Sequence, residues 1–161
     1  MQELIEKIEQ WAEDRNIIKG SKPIDQAMKL FSEFGELADN VGKGRDCRDD
    51  IGDVFVVLTI MCRQQGRTIF DNFGRKPRDI QDIKLYIAEL SDMLTQLVLH
   101  LHNERAFYSY GYSMGVSYLS SIAIHFGYTL EECVQIAYND IKDRKGKMVN
   151  GVFIKEGDVA K

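Results

Sequence analysis

From Val54 to Cys62 the chain reads VFVVLTIMC, an almost unbroken apolar run. A helix that is apolar on most sides has to be enclosed by other elements. At 161 residues the chain is long enough to build one domain around such a helix. A second constraint lies in Ile80, Ile83, Ile87, Leu90, Leu94, Leu97 and Leu101, which recur at alternating three- and four-residue steps. That is a heptad seam, the packing stripe of a helix bundle or of a subunit interface.

Only two prolines interrupt the chain, and both Pro23 and Pro77 fall where a helix would start. The periodicity predicts helices over 2–15, 23–41, 47–65, 79–104, 112–126 and 129–145. Asp46 and Asp79 are candidate N-caps, and Thr129 with Glu132 forms a capping-box pattern. Near the end, MVNGVFI sets Asn-Gly between apolar pairs, which reads as a small β-hairpin or turn. The expected fold is all-α, a helical bundle in a single domain over 1–161 with a short C-terminal hairpin. Two apolar stripes exceed what one thin bundle easily hides, so a homo-oligomer is expected, a dimer most simply.

An internal echo runs through the pattern. FGELADNV and IAELSDML align Glu36 with Glu89 and Asp39 with Asp92, and farther on Gly66 and Thr68 match Gly127 and Thr129. Either the chain is a fused two-fold repeat of one helical hairpin, or two amphipathic helix pairs coincide by chance. Where the first copy has Asp50 and Asp53, the second has Gly111 and Met114.

Those acids are the chemical signal. Glu33 and Glu36 lie in LFSEFGELADN, and Asp50 and Asp53 in RDDIGDVFVVL. Spacing of i, i+3 puts each pair on one helix face. Two full charges 4 Å apart repel by about 4 kcal/mol at an effective dielectric near 20. If the two helices pack face to face, a cation is expected among the acids, and an all-oxygen set suits a hard ion such as Mg²⁺, with Mn²⁺ as a substitute. On the first helix Ile24, Ala27, Met28, Phe31, Phe34 and Ala38 form a broad apolar face, while Lys29, Glu33 and Glu36 share a narrow arc. ExxE and DxxD are also common on solvated helix faces, so spacing alone does not make a site.

The stretch QAMKLFSEFGELADNVGKG followed by RDDIGDVFVVL resembles the MazG-type all-α nucleoside triphosphate pyrophosphohydrolases, whose signature is ExxE, a connection, then E/DxxD. YTLEECVQIAYNDIKDRKGKMVNGVFIKEGD is similar to the end of phage and bacterial MazG-like members. Asp50 departs from the commoner Glu, and Asp140 stands where relatives often carry a basic residue. The resemblance implies Mg²⁺-dependent hydrolysis of nucleoside triphosphates to monophosphate and pyrophosphate, in nucleotide-pool house-cleaning or as a narrow dUTPase or dCTPase. It also implies metal binding by Glu33, Glu36, Asp50 and Asp53, with Glu33 or Glu36 as base for the attacking water. Lys29, Asn139, Arg144 and Lys147 are the implied phosphate contacts, and Glu89 and Asp92 stay second-rank candidates. Trp11, Phe31, Tyr108, Tyr110 and Tyr112 could supply a surface for stacking on a base, yet aromatic residues at helical spacing are more often core.

Other classes fit less well. A net charge of −4 argues against general nucleic-acid binding. Cys47, Cys62 and Cys133 lack CxxC spacing, so neither a disulfide framework nor a zinc site is signalled, and reduced thiols in a cytoplasm are expected. MQELIEKIEQ reads as an amphipathic helix, and no apolar stretch reaches membrane-spanning length. A di-iron bundle would need Glu-x-x-His pairs, which are missing. A silent helical module assembling through the 80–101 seam is the remaining alternative.

Overall fold

The computed structural model describes residues 1–104 and 106–158. It is an all-α bundle: α1 (Gln2–Asp14), α2 (Ile17–Gly20), α3 (Pro23–Gly42), α4 (Arg48–Gln64), α5 (Ile83–Asn103), α6 (Ser109–His125) and α7 (Leu130–Ile141). A 3₁₀ turn occupies Ile69–Asn72, and an antiparallel hairpin, β1 (Gly146–Val149) and β2 (Val152–Lys155), ends the described chain.

α4 is the central helix. It carries the apolar run and packs on α1, α3, α6 and α7. From Asp50 to Cys62 every residue except Asp53 is buried. The closest crossing is with α7, where Gly52 faces the backbone of Cys133; a Cβ at Gly52 would lie 2.2 Å from the Cys133 carbonyl oxygen. Glycine is required there by contact, since no side chain fits between the helices.

The heptad seam of α5 is used up inside the chain. Ile87, Leu90, Leu94, Leu97 and Leu101 are buried, and α5 packs on α3 and α6. The two long apolar stripes are therefore covered without a partner, which removes the packing argument for an oligomer. On α3 the buried face is Gln26, Ala27, Leu30, Glu33, Leu37 and Val41, rotated from the face read in the sequence. Met28 and Ile24 are exposed, and Phe31, Phe34 and Ala38 only half-buried. The apolar arc is wider than one neighbour covers, and the helix turns Glu33 inward with its edge.

Boundaries shift for identifiable reasons. α5 starts at Ile83 because Asp82, not Asp79, accepts hydrogen bonds from the Lys84 and Leu85 N–H groups, at 2.9 and 3.1 Å. Pro77 lies in an irregular segment, 73–82, instead of opening a helix. Arg78 N–H in that segment donates to Ser121 Oγ, and Arg75 Nε donates to Ser113 Oγ, tying it to α6. Cys47 is the N-cap of α4, and Asp46 accepts the Arg48 N–H from one residue farther out. α6 begins earlier than expected, at Ser109, and the short α2 follows Asn16, which is left-handed. α7 ends at Ile141 instead of 145: Trp11 Nε1 donates to the Ile141 carbonyl at 2.8 Å, and Arg15 donates to the carbonyls of Lys142 and Arg144. The orphan carbonyls of that helix end are thus satisfied by side chains of the α1 end. Pro23 opens α3 as expected, and Thr129 with Glu132 caps α7. Asn150 and Gly151 both have positive φ, as a tight two-residue hairpin turn needs.

The internal echo has a structural counterpart. α3 and α4 form one helical hairpin, α5 and α6 a second, and α3 packs on α5 as α4 packs on α6. Gly66 and Gly127 end the second helix of each pair with φ of 71° and 83°. Matching turns follow: Arg67 N–H bonds to Cys62 O, and Tyr128 N–H to Ala123 O. Thr68 and Thr129 then cap the next helical segments.

Candidate functional site

A cavity of about 520 Å³ opens between α3, α4 and the C-terminal hairpin. That size suits a small-molecule ligand. Glu33 and Asp53 line it, with the cations Lys29 and Arg144. Trp11, Ile17, Val56, Val57, Ile60 and Phe153 give it a broad apolar wall, and Asp25, Lys155 and Asp158 add charge on the hairpin side.

Helix geometry brings the acids together. α3 and α4 are joined by a short connection and run side by side, so Glu33, on the packed edge of α3, meets the acidic first turns of α4. Glu33 is buried, and its carboxylate pairs with the Lys29 ammonium one turn earlier. Burial, then the nearby carboxylates of Glu33 and Asp49, push the Asp53 pKa up to about 7 against the opposing pull of Lys29 and Arg144. Asp50 is also raised, first by burial and further by Asp49, Glu36 and Glu33, while the Asn40 amide counteracts this by donating to its Oδ2 at 2.8 Å. Asp49 is raised by burial and by Asp140. Arg144 pairs with Asp140. The result is a knot of carboxylates in which Lys29 and Arg144 are each already engaged with one acid, while Lys155 lines the cavity from the hairpin without an ion pair among the described residues.

Of the residues singled out in the sequence, Glu33, Asp53, Lys29 and Arg144 line the cavity. Asp50 is buried beside Asn40, outside the cavity lining, and Glu36 is exposed but close enough to act on Asp50. Asn139 is exposed on α7 and accepts a hydrogen bond from Gln135; Lys147 is exposed on β1. Neither lines the cavity. Glu89 and Asp92 line a separate groove between α5 and α6 with Tyr110 and Tyr118. Among the aromatic candidates, Trp11 reaches the cavity, while Tyr112 is core and Tyr108 stacks on His100. His125 packs edge-on against Phe126.

Sequence reading passed over Asp49 and Asn40. The DxxD pattern drew attention to Asp50 and Asp53, but Asp49 and Asp53, at i, i+4, share a face equally well. Asn40 sits one turn after Glu36, and only the packing of α3 on α4 reveals its partner.

The donor set is all oxygen and strongly anionic, which suits Mg²⁺ in its chemistry. Yet among the described residues no group of three or more His, Cys, Asp or Glu is drawn together as a ready metal cage. The two observations differ because carboxylates perturb one another over several ångströms, whereas Mg²⁺ ligands must approach to about 2.1 Å. Ligation would require Glu33 to release Lys29 and the side chains to rotate inward. The three cysteines stand apart from this chemistry: all are buried and unpaired, and burial pushes Cys47 up to about 11 and Cys62 and Cys133 up to about 12.

No family model matches the chain, and no solved structure does. Over 66 residues it is 50% identical to a protein of Haemophilus phage HP1 (strain HP1c1) described as an "uncharacterized 18.2 kDa protein in rep-hol intergenic region". The match covers 40% of each chain, so the aligned part spans well under half of that relative's length. No helix among the described residues is long and apolar enough to cross a membrane.

Proposed function

We propose that this cavity is the active site of a Mg²⁺-dependent nucleoside triphosphate pyrophosphohydrolase of the MazG-like all-α kind. The observation that carries the reading is the convergence of Glu33 and Asp53 with Lys29 and Arg144 on one cavity that also has a long apolar flank along Val56, Val57 and Ile60. Surplus carboxylate beside two cations is what a triphosphate and a divalent ion together would require. Burial, with Glu33 and Asp49 close by, raises the Asp53 pKa toward neutrality, a perturbation that clusters at functional sites.

Glu33 and Asp53 would hold Mg²⁺ in the cavity, and Asp50, with Glu36 or Asp49, would join them only by turning away from its present contacts. When bound, the ion supplies neutralisation of phosphate oxygens and polarisation of the phosphorus under attack. The chain's own residues do the rest. Lys29 and Arg144 exchange Glu33 and Asp140 for phosphate oxygens and orient the triphosphate. Water attacks the α-phosphorus, the α–β bridging bond breaks, and pyrophosphate leaves. Glu33, lining the cavity, accepts the proton of that water; Glu36, exposed, is the less direct base.

Separate Glu33→Gln and Asp53→Asn variants test the assignment. Loss of Mg²⁺-dependent turnover in both, with far-UV circular dichroism unchanged, is expected. Full activity in either would overturn its role. A homodimer remains part of the reading, now on the exposed Leu85 and Leu99 of α5 and not on the buried seam.

A further inference from the structure

The cavity has two chemically different ends. Along α4, Asp53 gives way to Val56, Val57 and Ile60, all lining the same space. Seven residues of helix rise about 10 Å, enough to separate a phosphate chain from the far side of a nucleoside. Along α3, moving away from Glu33, the lining passes through Lys29 to Met28. The third wall is the hairpin segment, apolar at Val152, Phe153 and Ile154 and charged at its edge through Lys155 and Asp158, with Asp25 of α3 facing its tip.

Two of these residues sit where an apolar side chain gains least. Met28 is 59% and Val152 51% exposed, and each reaches the cavity from a different element. Behind them Phe153 packs edge-on against Trp11, with ring centroids 5.9 Å apart, and makes a firm floor. The hairpin itself is anchored through Arg15 and Trp11 on the α7 end, and Gly151 at its tip abuts the Asp25 carboxylate of α3. Water-exposed apolar lips on a rigid apolar floor recover hydrophobic free energy when a flat group slides between them.

We infer that the hairpin, through Val152 and Phe153, forms with Met28 the wall that receives the nucleobase, and so decides which nucleotides enter. This rests on the acidic end being the phosphate site. The hairpin lies outside the four-acid signature, so substrate choice and chemistry reside on separate segments of the chain.

Calorimetric titration of the full chain with Mg²⁺ tests it, using α,β-methylene deoxynucleoside triphosphates of the four common bases and, separately, inorganic tripolyphosphate. Trp11, the single tryptophan, lines the cavity and reports occupancy by fluorescence. A Met28→Ser, Val152→Ser double variant removes only exposed side chains. It should bind the best nucleotide analogue roughly tenfold more weakly, the effect of losing the burial of about one side chain, and tripolyphosphate as before. Equal weakening for both ligands, or no change for the analogue, would overturn the wall while leaving the phosphate site standing. Binding of neither ligand by the unmodified chain would overturn the phosphate site and the wall with it.

Discussion

Replacing Gly52 by alanine probes the contact that fixes the cavity's frame. The added Cβ would lie 2.2 Å from the Cys133 carbonyl oxygen and 2.7 Å from the Ala137 Cβ. Comfortable C···O approach needs about 3.3 Å or more, so α4 and α7 would have to separate by about 1 Å over their longest shared interface. Neither partner is a flexible side-chain end, and overpacking of this kind costs about 1–3 kcal/mol. The few tenths to 1 kcal/mol that alanine normally adds within a helix is too small to offset it. With a urea slope of about 2 kcal/mol per M, the unfolding midpoint should fall by roughly 0.5–1.5 M. Gly35→Ala is the control: it is also helical, nothing lies within 4 Å of its added Cβ, and its midpoint should hold or rise. Urea titrations followed by Trp11 fluorescence and far-UV circular dichroism measure both. Should Gly52→Ala prove as stable as Gly35→Ala, the close crossing of α4 and α7 is wrong, and so is the placement of Arg144 that follows from it.

Asp53 has a folded pKa raised from 3.8 to about 7. The unfolded chain releases that proton first, so this residue's cost is absent below about pH 4, grows through the interval and is complete above pH 7. It amounts to roughly 2–4 kcal/mol. Asp53→Asn should therefore stabilise the metal-free protein at pH 8 much more than at pH 4 in denaturant titrations; an equal effect at both would refute the burial argument. Glu36→Gln should lower turnover at least ~10-fold, as lost support at a metal site does, whereas Glu89→Gln, on the other groove, should cost far less; equal losses in steady-state assays would bring the second helical hairpin into catalysis. Sedimentation equilibrium at micromolar protein should give twice the 18.5 kDa chain mass; a monomer would remove the dimer.

Much of the helical frame was legible because it rests on local signals. The apolar run from Val54 needed enclosure and is the central helix, Thr129 and Glu132 cap α7, and Asn150-Gly151 turns the hairpin. What failed depended on tertiary partners. Pro77 looked like a helix start, but its segment is irregular and tied to α6 through Ser113 and Ser121. The α5 seam looked like an interface because sequence shows a stripe but not whether α3 and α6 already cover it. The rotated face of α3 followed from an apolar arc broader than its contact. At the site, helical spacing pointed to Glu33 and Asp53 but not to Asp49 or Asn40, whose roles arise only when α3 lies against α4. Asn139 and Lys147 were grouped with Arg144 by sequence proximity, but Asn139 lies on the exposed side of α7, Lys147 on β1, and only Arg144 lines the cavity.

The central claim is that this acidic cavity cleaves the α–β bond of a nucleoside triphosphate. Phosphorus NMR of the full chain with Mg²⁺ and a panel of ribo-, deoxy- and modified nucleotides addresses it directly. The account predicts paired growth of nucleoside monophosphate and pyrophosphate signals, abolished by chelation of the metal and by Glu33→Gln. Nucleoside diphosphate with orthophosphate, or no turnover of any nucleotide with the metal present, would contradict it.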